Sequence, residues 1–195
     1  MIDKMDFSFK NNNTPYKGTL LLSDPFEMDV HFTRSVILIC NHDEEGTFGF
    51  VLNNYIDLSA KELNEELENY TGRVSIGGPV DKTNLYYIHA FGPEIDGSEH
   101  ITGDLYFGGS FEGIIERLKA DSANESKVRF FIGYSGWSGE QLTEELTQNS
   151  WIVVTNHSLQ QIMDTHSDTL WKALMAQQGT KFRLLADFPL NPENN

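Results

Sequence analysis

The chain has 195 residues, with 14 Lys and Arg against 29 Asp and Glu, for a formal charge of −15. At this length, and with 39% apolar residues, it can bury one sizeable core without disulfides or metals. The acidic excess and the scattered basic residues disfavour phosphate backbones and anionic membrane surfaces, which both require clustered Lys and Arg.

No window approaches the roughly 18 consecutive apolar residues that a membrane helix needs. Cys40 is the single cysteine, so no internal disulfide can form, and it fits a reducing, cytoplasmic setting as a small core residue closing the run Ser35 to Cys40. Residues 1–16 mix Asp, Lys and Asn with isolated Phe and read as a flexible lead-in without a signal-peptide pattern. Residues 17–188 read as a single domain, and the Pro- and Asn-rich residues 189–195 as a flexible tail.

In chain order, Thr19 to Ser23, Ser35 to Cys40 and Phe48 to Leu52 are β-rich runs, and the polar segment Asn41 to Gly46 joins the last two as a hairpin. Ser59-Ala-Lys-Glu62 forms a capping box opening a helix with Leu58, Leu63 and Leu67 on one stripe, closed by Tyr70-Thr71-Gly72. Short strands follow at Arg73 to Ile76, Leu85 to Ala90, His100 to Thr102 and Asp104 to Phe107, with Gly77-Gly78-Pro79-Val80 as a backbone-driven turn. Ser110 caps a helix to about Lys119 with Phe111, Ile114, Ile115 and Leu118 inward.

Val128 to Tyr134 reads as a strand covered on both faces, and it enters Gly133-Tyr134-Ser135-Gly136-Trp137 as a turn before a helix capped at Ser138. Trp151 to Val154 is strand-like; Leu159 to Met163 and Leu170 to Gln178 are helical, the latter capped by Asp168 and stopped by Gly179. The period-two pairs Lys127 with Arg129 and Lys181 with Arg183 suggest the solvent faces of two strands. Irregular alternation with hairpins argues for an α+β fold with a mixed sheet.

The segment around Ser135 approaches the hydrolase pattern G-x-S-x-G, but Trp137 replaces the last Gly, and Asp164 and His166 are the triad partners that follow in chain order. A structural turn is the preferred reading. The free N–H groups of the helix beginning at Ser138 face Glu140, Glu144 and Glu145, which repel phosphate. His42-Asp43-Glu44-Glu45 reads as a solvated hairpin tip without zinc spacing, and Gly77 to Val80 lacks the Lys and Ser/Thr of a phosphate loop.

Taken together and in order, Gly18 to Pro25, Phe32-Thr33-Arg34-Ser35, His42-Asp43, Val51-Leu52-Asn53, Gly77 to Val80, His89, Gly133 to Trp137, Gln141-Leu142, Trp151 and Trp171 resemble the bacterial YqgE/AlgH family over roughly residues 18–179. The resemblance implies a bifurcated, partly barrel-like mixed sheet flanked by helices in a cytoplasmic protein. Members carry the label of transcriptional regulator, and the resemblance brings no cofactor and no catalytic or metal residue.

The motifs supply a candidate functional surface of Arg34, His42, Asn53, Gly77, Gly78 and Pro79, together with His89, Ser135, Gly136, Trp137 and Gln141. Because they are poor in convergent acid, base and nucleophile, a non-enzymatic interaction protein docking a protein partner is preferred, reaching transcription indirectly and without direct DNA binding. The alternative is a small-molecule binder or hydrolase-like enzyme with a pocket near Asn53, Gly77 to Val80, His89 and Ser135. An exposed patch containing Tyr134 and Trp137 favours the former.

Overall fold

A computed structural model describes residue 11 and residues 13–27 and 29–188; most of the expected lead-in and the whole tail lie outside the described residues. Among the described residues nine strands form one curled, nearly all-antiparallel half-barrel, and helices pack on it. The strands are β1 (Leu20–Ser23), β2 (Val36–His42), β3 (Gly46–Val51), β4 (Ser75–Ile76), β5 (Val80–His89), β6 (Ser98–Thr102), β7 (Leu105–Gly108), β8 (Val128–Ser138) and β9 (Trp151–Val154). Their order is β6-β7-β5-β8-β3-β2-β1-β9, with β4 parallel to β8 off this path. The α+β fold with a mixed, forked sheet therefore stands.

The fork lies on β8. Its first part pairs with β5 through Phe130 to Tyr87 and with β4 through Phe131 to Ser75, while its last part pairs with β3 through Ser135 to Gly49. Gly133 sits between the two parts at φ +67, a left-handed conformation that only glycine adopts without steric cost. The expected turn at residues 133–137 is thus a continuation of the strand. Its glycines let one strand change partners where they had suggested an end to pairing.

Continuous apolar runs mark strands buried on both faces. In β1 and β2, Leu20, Leu22, Val36 and Leu38 join one core, while Leu21, Ile37 and Ile39 join a second on the opposite face with Trp137, Leu142 and Trp151. A third core places Val128 and Phe130 against α2 (Phe111–Ala120), with Ile114, Ile115 and Leu118 inward as its periodicity predicts. Ser110 Oγ accepts from Gly113 N at 3.1 Å, the expected cap. Cys40 is buried, and burial pushes its thiol pKa up.

Several local expectations require correction. The helix opened by Ser59 is α1 (Ala60–Leu63) followed by a 3₁₀ turn (Glu65–Leu67), because Asn64 is extended and its side chain caps Glu66 N at 2.9 Å. Leu58 remains exposed, outside the stripe. Helix α3 (Gln141–Thr147) begins after Glu140, since Ser138 is still strand. After α4 (Leu159–Met163) comes α5 (Leu170–Gln177), with Thr169 at its N-cap in place of Asp168. Lys181 and Arg183 lie on helix α6 (Thr180–Ala186), not on a strand, because Gly179 turns the chain at φ +119 and a further amphipathic segment packs back.

The edge strand β9 carries a polar guard. Asn11 Nδ2 donates to Trp151 O at 2.8 Å, Val153 N donates to Asn11 Oδ1 at 2.9 Å, and Asn13 Nδ2 donates to Val153 O at 3.1 Å. Side-chain amides thereby satisfy backbone groups that a neighbouring strand would otherwise claim. No helix among the described residues is long and apolar enough to cross a membrane.

Candidate functional site

Ser135 is fully buried, and its Oγ donates to Gly77 O at 3.0 Å. Val51 N donates to that same carbonyl at 2.8 Å, so Ser135 and β3 together anchor the turn between β4 and β5. Gly78 follows at φ +156, where a Cβ would lie 2.3 Å from the Tyr134 carbonyl and 2.4 Å from Ser135 N. Residues 77–79 are therefore a close-packed crossing of main chains. Asp164 and His166 stand at the other end of β8, beyond α4, and are not partners of Ser135: Asp164 O accepts from Arg129 Nη1 at 2.9 Å, near the start of that strand.

Trp137 is buried, so Tyr134 and Trp137 do not form an exposed patch together. Its Nε1 donates to Glu145 Oε2 at 2.7 Å, Trp151 Nε1 donates to the same oxygen at 2.6 Å, and Gln141 Nε2 reaches Glu145 Oε1 at 3.0 Å. The indoles meet edge-on, 5.8 Å between centroids. One carboxylate on α3 thus ties β8 to β9, and two of the sequence candidates serve that tie.

Arg34 and Asn53 are brought together. Asn53 Nδ2 donates to Arg34 O, and Val36 N donates to Asn53 Oδ1, each at 2.8 Å, which fixes Arg34 at φ +49. The Arg34 guanidinium lies 5.1 Å over the Trp171 ring and bonds Phe188 O. His42 Nδ1 meets Thr47 Oγ1 at 2.6 Å across the β2–β3 hairpin.

His89 is elsewhere. It pairs with Val128, seven residues along β8 from Ser135, on the order of 20 Å at the usual strand rise. It is fully buried, its ring parallel to Tyr106 within 9°, and Nε2 meets Gly108 O at 3.2 Å while Nδ1 accepts from Phe91 N at 3.4 Å. This is the neutral tautomer with its proton on Nε2, and burial lowers its pKa. Asn53, Ser135 and His89 therefore do not converge on one pocket.

Arg129, whose period-two spacing with Lys127 suggests a solvent face, is fully buried because β8 is covered on both sides. Its Nη1 donates to Ile162 O at 2.5 Å and to Asp164 O; its Nη2 reaches Leu52 O, Tyr55 Oη at 3.3 Å and Ser75 Oγ at 3.4 Å. Arg73 stacks 3.6 Å from the centroid of the Tyr55 ring and donates Nε to Thr165 O at 2.7 Å. Two arginines and a tyrosine hence fasten residues 162–168 to the sheet. No sequence period marks such a role, since most of the acceptors are main-chain carbonyls.

Two hollows are also present, and the smaller takes the sequence candidates Gly136 and Trp137 into its lining. The larger, about 760 Å³, lies between the 3₁₀ turn Ser122–Lys127 and α4, with Met163, Ala123 and Leu159 among its apolar lining. The smaller, about 420 Å³, opens between the β2–β3 hairpin and the start of β5, lined by Phe48, Tyr134, Val80, Asp43 and Glu45. Among the described residues no group of three His, Cys, Asp or Glu is placed to hold a metal ion.

Comparison with known proteins places this geometry in context. A family model described as AlgH-like matches residues 20–183. The chain is 34% identical over 192 residues to a UPF0301 protein of Bacteroides fragilis, covering 97% of this chain and 96% of that one. It is 33% identical to a UPF0301 protein of Cytophaga hutchinsonii, covering 92% and 98%. Among solved structures, a crystal structure of a Corynebacterium diphtheriae protein superposes with a TM-score of 0.78 at 23% identity, over 92% of this chain and 95% of that one. The solution structure of the AlgH protein from Pseudomonas aeruginosa gives 0.70 at 24%, over 93% and 98%. The two solved structures share the fold.

Proposed function

The chain belongs to the AlgH-like family, and from that premise we propose that it is a non-enzymatic interaction protein of the cytoplasm, docking a protein partner and reaching transcription only through it. The observation that carries this reading is how the polar groups of the motifs are used. Ser135 Oγ is bonded to a main-chain carbonyl, Asn53 holds the Arg34 loop, and Trp137 and Gln141 bind Glu145. A nucleophile needs a base within about 3 Å and a reacting atom within reach; Ser135 has a carbonyl there instead. Meanwhile the net charge of −15 favours basic surfaces on a partner and repels nucleic acid.

The test is cross-linked affinity capture from the source cell with the wild-type chain and with Ser135→Ala. Recovery of the same protein partner by both is expected. Turnover of a defined metabolite that disappears in folded Ser135→Ala or His89→Gln would overturn the reading in favour of an enzyme. So would tight, sequence-selective gel-shift of DNA by the purified chain at physiological salt, in favour of direct regulation.

A further inference from the structure

The core containing Phe131 does not stop at the surface on the side of β3 and β5. Phe50 and Phe131 are buried and stacked at 4.5 Å and 14°. Upon them rest Phe48, Tyr86, Phe107 and Tyr134, all only partly buried. Phe48 meets Phe107 at 5.3 Å and Tyr134 at 6.1 Å, and Tyr86 meets Tyr134 at 5.7 Å, each with rings steeply inclined. Rings locked edge-to-face this way present fixed surfaces and lose little freedom on binding.

Of these rings, Phe48 and Tyr134 line a groove whose rim is acidic. Asp43 and Glu45 line the 420 Å³ groove from the β2–β3 hairpin, and no Lys or Arg is among its lining residues. Asp81, next to the lining residue Val80, accepts from Tyr86 Oη at 2.6 Å and Asn84 Nδ2 at 2.8 Å. Asp43 accepts from Asn41 Nδ2 at 2.6 Å and Glu45 N at 2.9 Å, which positions its carboxylate and, with the other bonds of the turn, holds its pKa below the usual range. Glu45 is exposed, and its carboxylate has no hydrogen-bond partner among the described residues. Lys82, the cation nearest to Asp81 in sequence, lies outside the lining.

Aromatic faces attract cations through their quadrupole, and a planar guanidinium can stack on a ring while pairing with a carboxylate. We propose that this groove is the docking site for a basic segment of a partner protein, taking an arginine side chain over Phe48 and Tyr134 with its guanidinium paired to Asp43 or Glu45. The occupant follows from charge complementarity: a concavity with carboxylates and no cation favours a cationic guest. Its volume suits one or two side chains of an extended segment. This inference rests on the interaction reading above and names the chemistry of the partner.

The experiment uses the full chain and a capped peptide of alternating Arg and Gly, alongside its citrulline counterpart, which keeps the shape and removes the charge. Titration is followed by Trp137 fluorescence and by ring-proton shifts of Phe48 and Tyr134. The arginine peptide is expected to bind, more weakly as salt rises, and the citrulline peptide at least about tenfold more weakly. Glu45→Gln, an exposed change that spares the fold, should weaken binding about threefold to tenfold, and Tyr134→Leu by a similar factor.

Equal binding of both peptides, no binding at millimolar peptide, or binding indifferent to Glu45→Gln and Tyr134→Leu would overturn the assignment. Free arginine amide saturating the groove at the same concentration as the peptide would overturn a protein segment as the guest. If captured partners persist with Glu45→Gln while the peptide fails to bind, the groove fails and the interaction reading stands. If no partner is captured by the wild-type chain, it is the interaction reading that fails.

Discussion

Arg129 and Asp164 are joined by a hydrogen bond to the main chain and not by a direct salt bridge. Arg129 Nη1 donates to the Asp164 carbonyl at 2.9 Å, while the Asp164 carboxylate turns to accept from His166 N at 2.8 Å. A cation this deeply buried loses its hydration, which lowers its pKa, and five protein oxygens replace that water.

Two substitutions separate these roles. Arg129→Ala leaves a cavity and orphans buried carbonyls, so a loss of about 4 kcal/mol is expected. Asp164→Asn retains the carbonyl and should cost no more than about 1 kcal/mol. Urea unfolding followed by circular dichroism measures both; equal losses would mean that the carboxylate, not the carbonyl, matters to Arg129.

Glu145 receives two indole N–H groups on one oxygen. Glu145→Ala leaves both without a charged acceptor and should destabilise by about 3 kcal/mol, with a change in tryptophan emission. Glu145→Gln keeps a carbonyl acceptor and should cost about 1 kcal/mol. Chemical denaturation monitored by fluorescence distinguishes the two.

The crossing at Gly78 allows no side chain. Gly78→Ala puts a methyl group against the Tyr134 carbonyl, and a loss of roughly 3 kcal/mol or failure to fold is expected. Ser135→Ala removes one hydrogen bond and should cost about 1 kcal/mol. Thermal melts of the pair provide the comparison, and a near-neutral Gly78→Ala would contradict the packing described.

His89 and His157 both have lowered pKa values, with burial as the first cause. A lowered folded-state pKa means that the unfolded chain takes up protons first, so their stabilisation is complete above the ordinary value of about 6.5 and declines as pH falls through it towards the folded-state values. The urea midpoint should therefore drop between pH 7.5 and pH 5.5, and His89→Gln should flatten the drop. Asp24, whose pKa burial raises, works in the opposite sense at lower pH: its penalty for being ionised fades as it protonates.

Cys40 is buried in the sheet with its thiol pKa pushed up. A thiol-specific reagent at neutral pH should label it only at the rate at which the chain opens, and fully in denaturant. Fast labelling of the native protein, followed by absorbance, would show that β2 is accessible.

Elements whose signal is local were legible in the sequence. Ser110 and the stripe Ile114, Ile115 and Leu118 announce α2, the apolar runs of β1, β2 and β9 announce strands, and the run from Val128 announces one covered on both faces. What escaped depends on distant partners. The glycines from Gly133 to Gly136 have turn composition, yet they serve a strand that changes neighbours, because the main chain of Gly77 and Gly78 passes against it. Arg129 carries the alternation of a solvent face, but the acceptors that let it be buried come from residues 52 to 164. Of the candidate residues, Arg34 with Asn53, Gly77 and Gly78 with Ser135, and Trp137 with Gln141 were recognisable as special positions. Their bonds, to main chain or to the shared Glu145 carboxylate, emerge only in three dimensions.

That β8 pairs with strands of both parts of the fork bears on how the molecule is made. Its partners β3, β4 and β5 all emerge earlier during synthesis, and β1 waits for β9 on its far side. The nascent chain must therefore hold the unfilled edges of β3 and β5 until the central strand leaves the ribosome. Long-range pairings of this kind fold slowly and expose sticky edges in the interval. Truncation before residue 128 should accordingly yield an aggregating fragment rather than a smaller folded half.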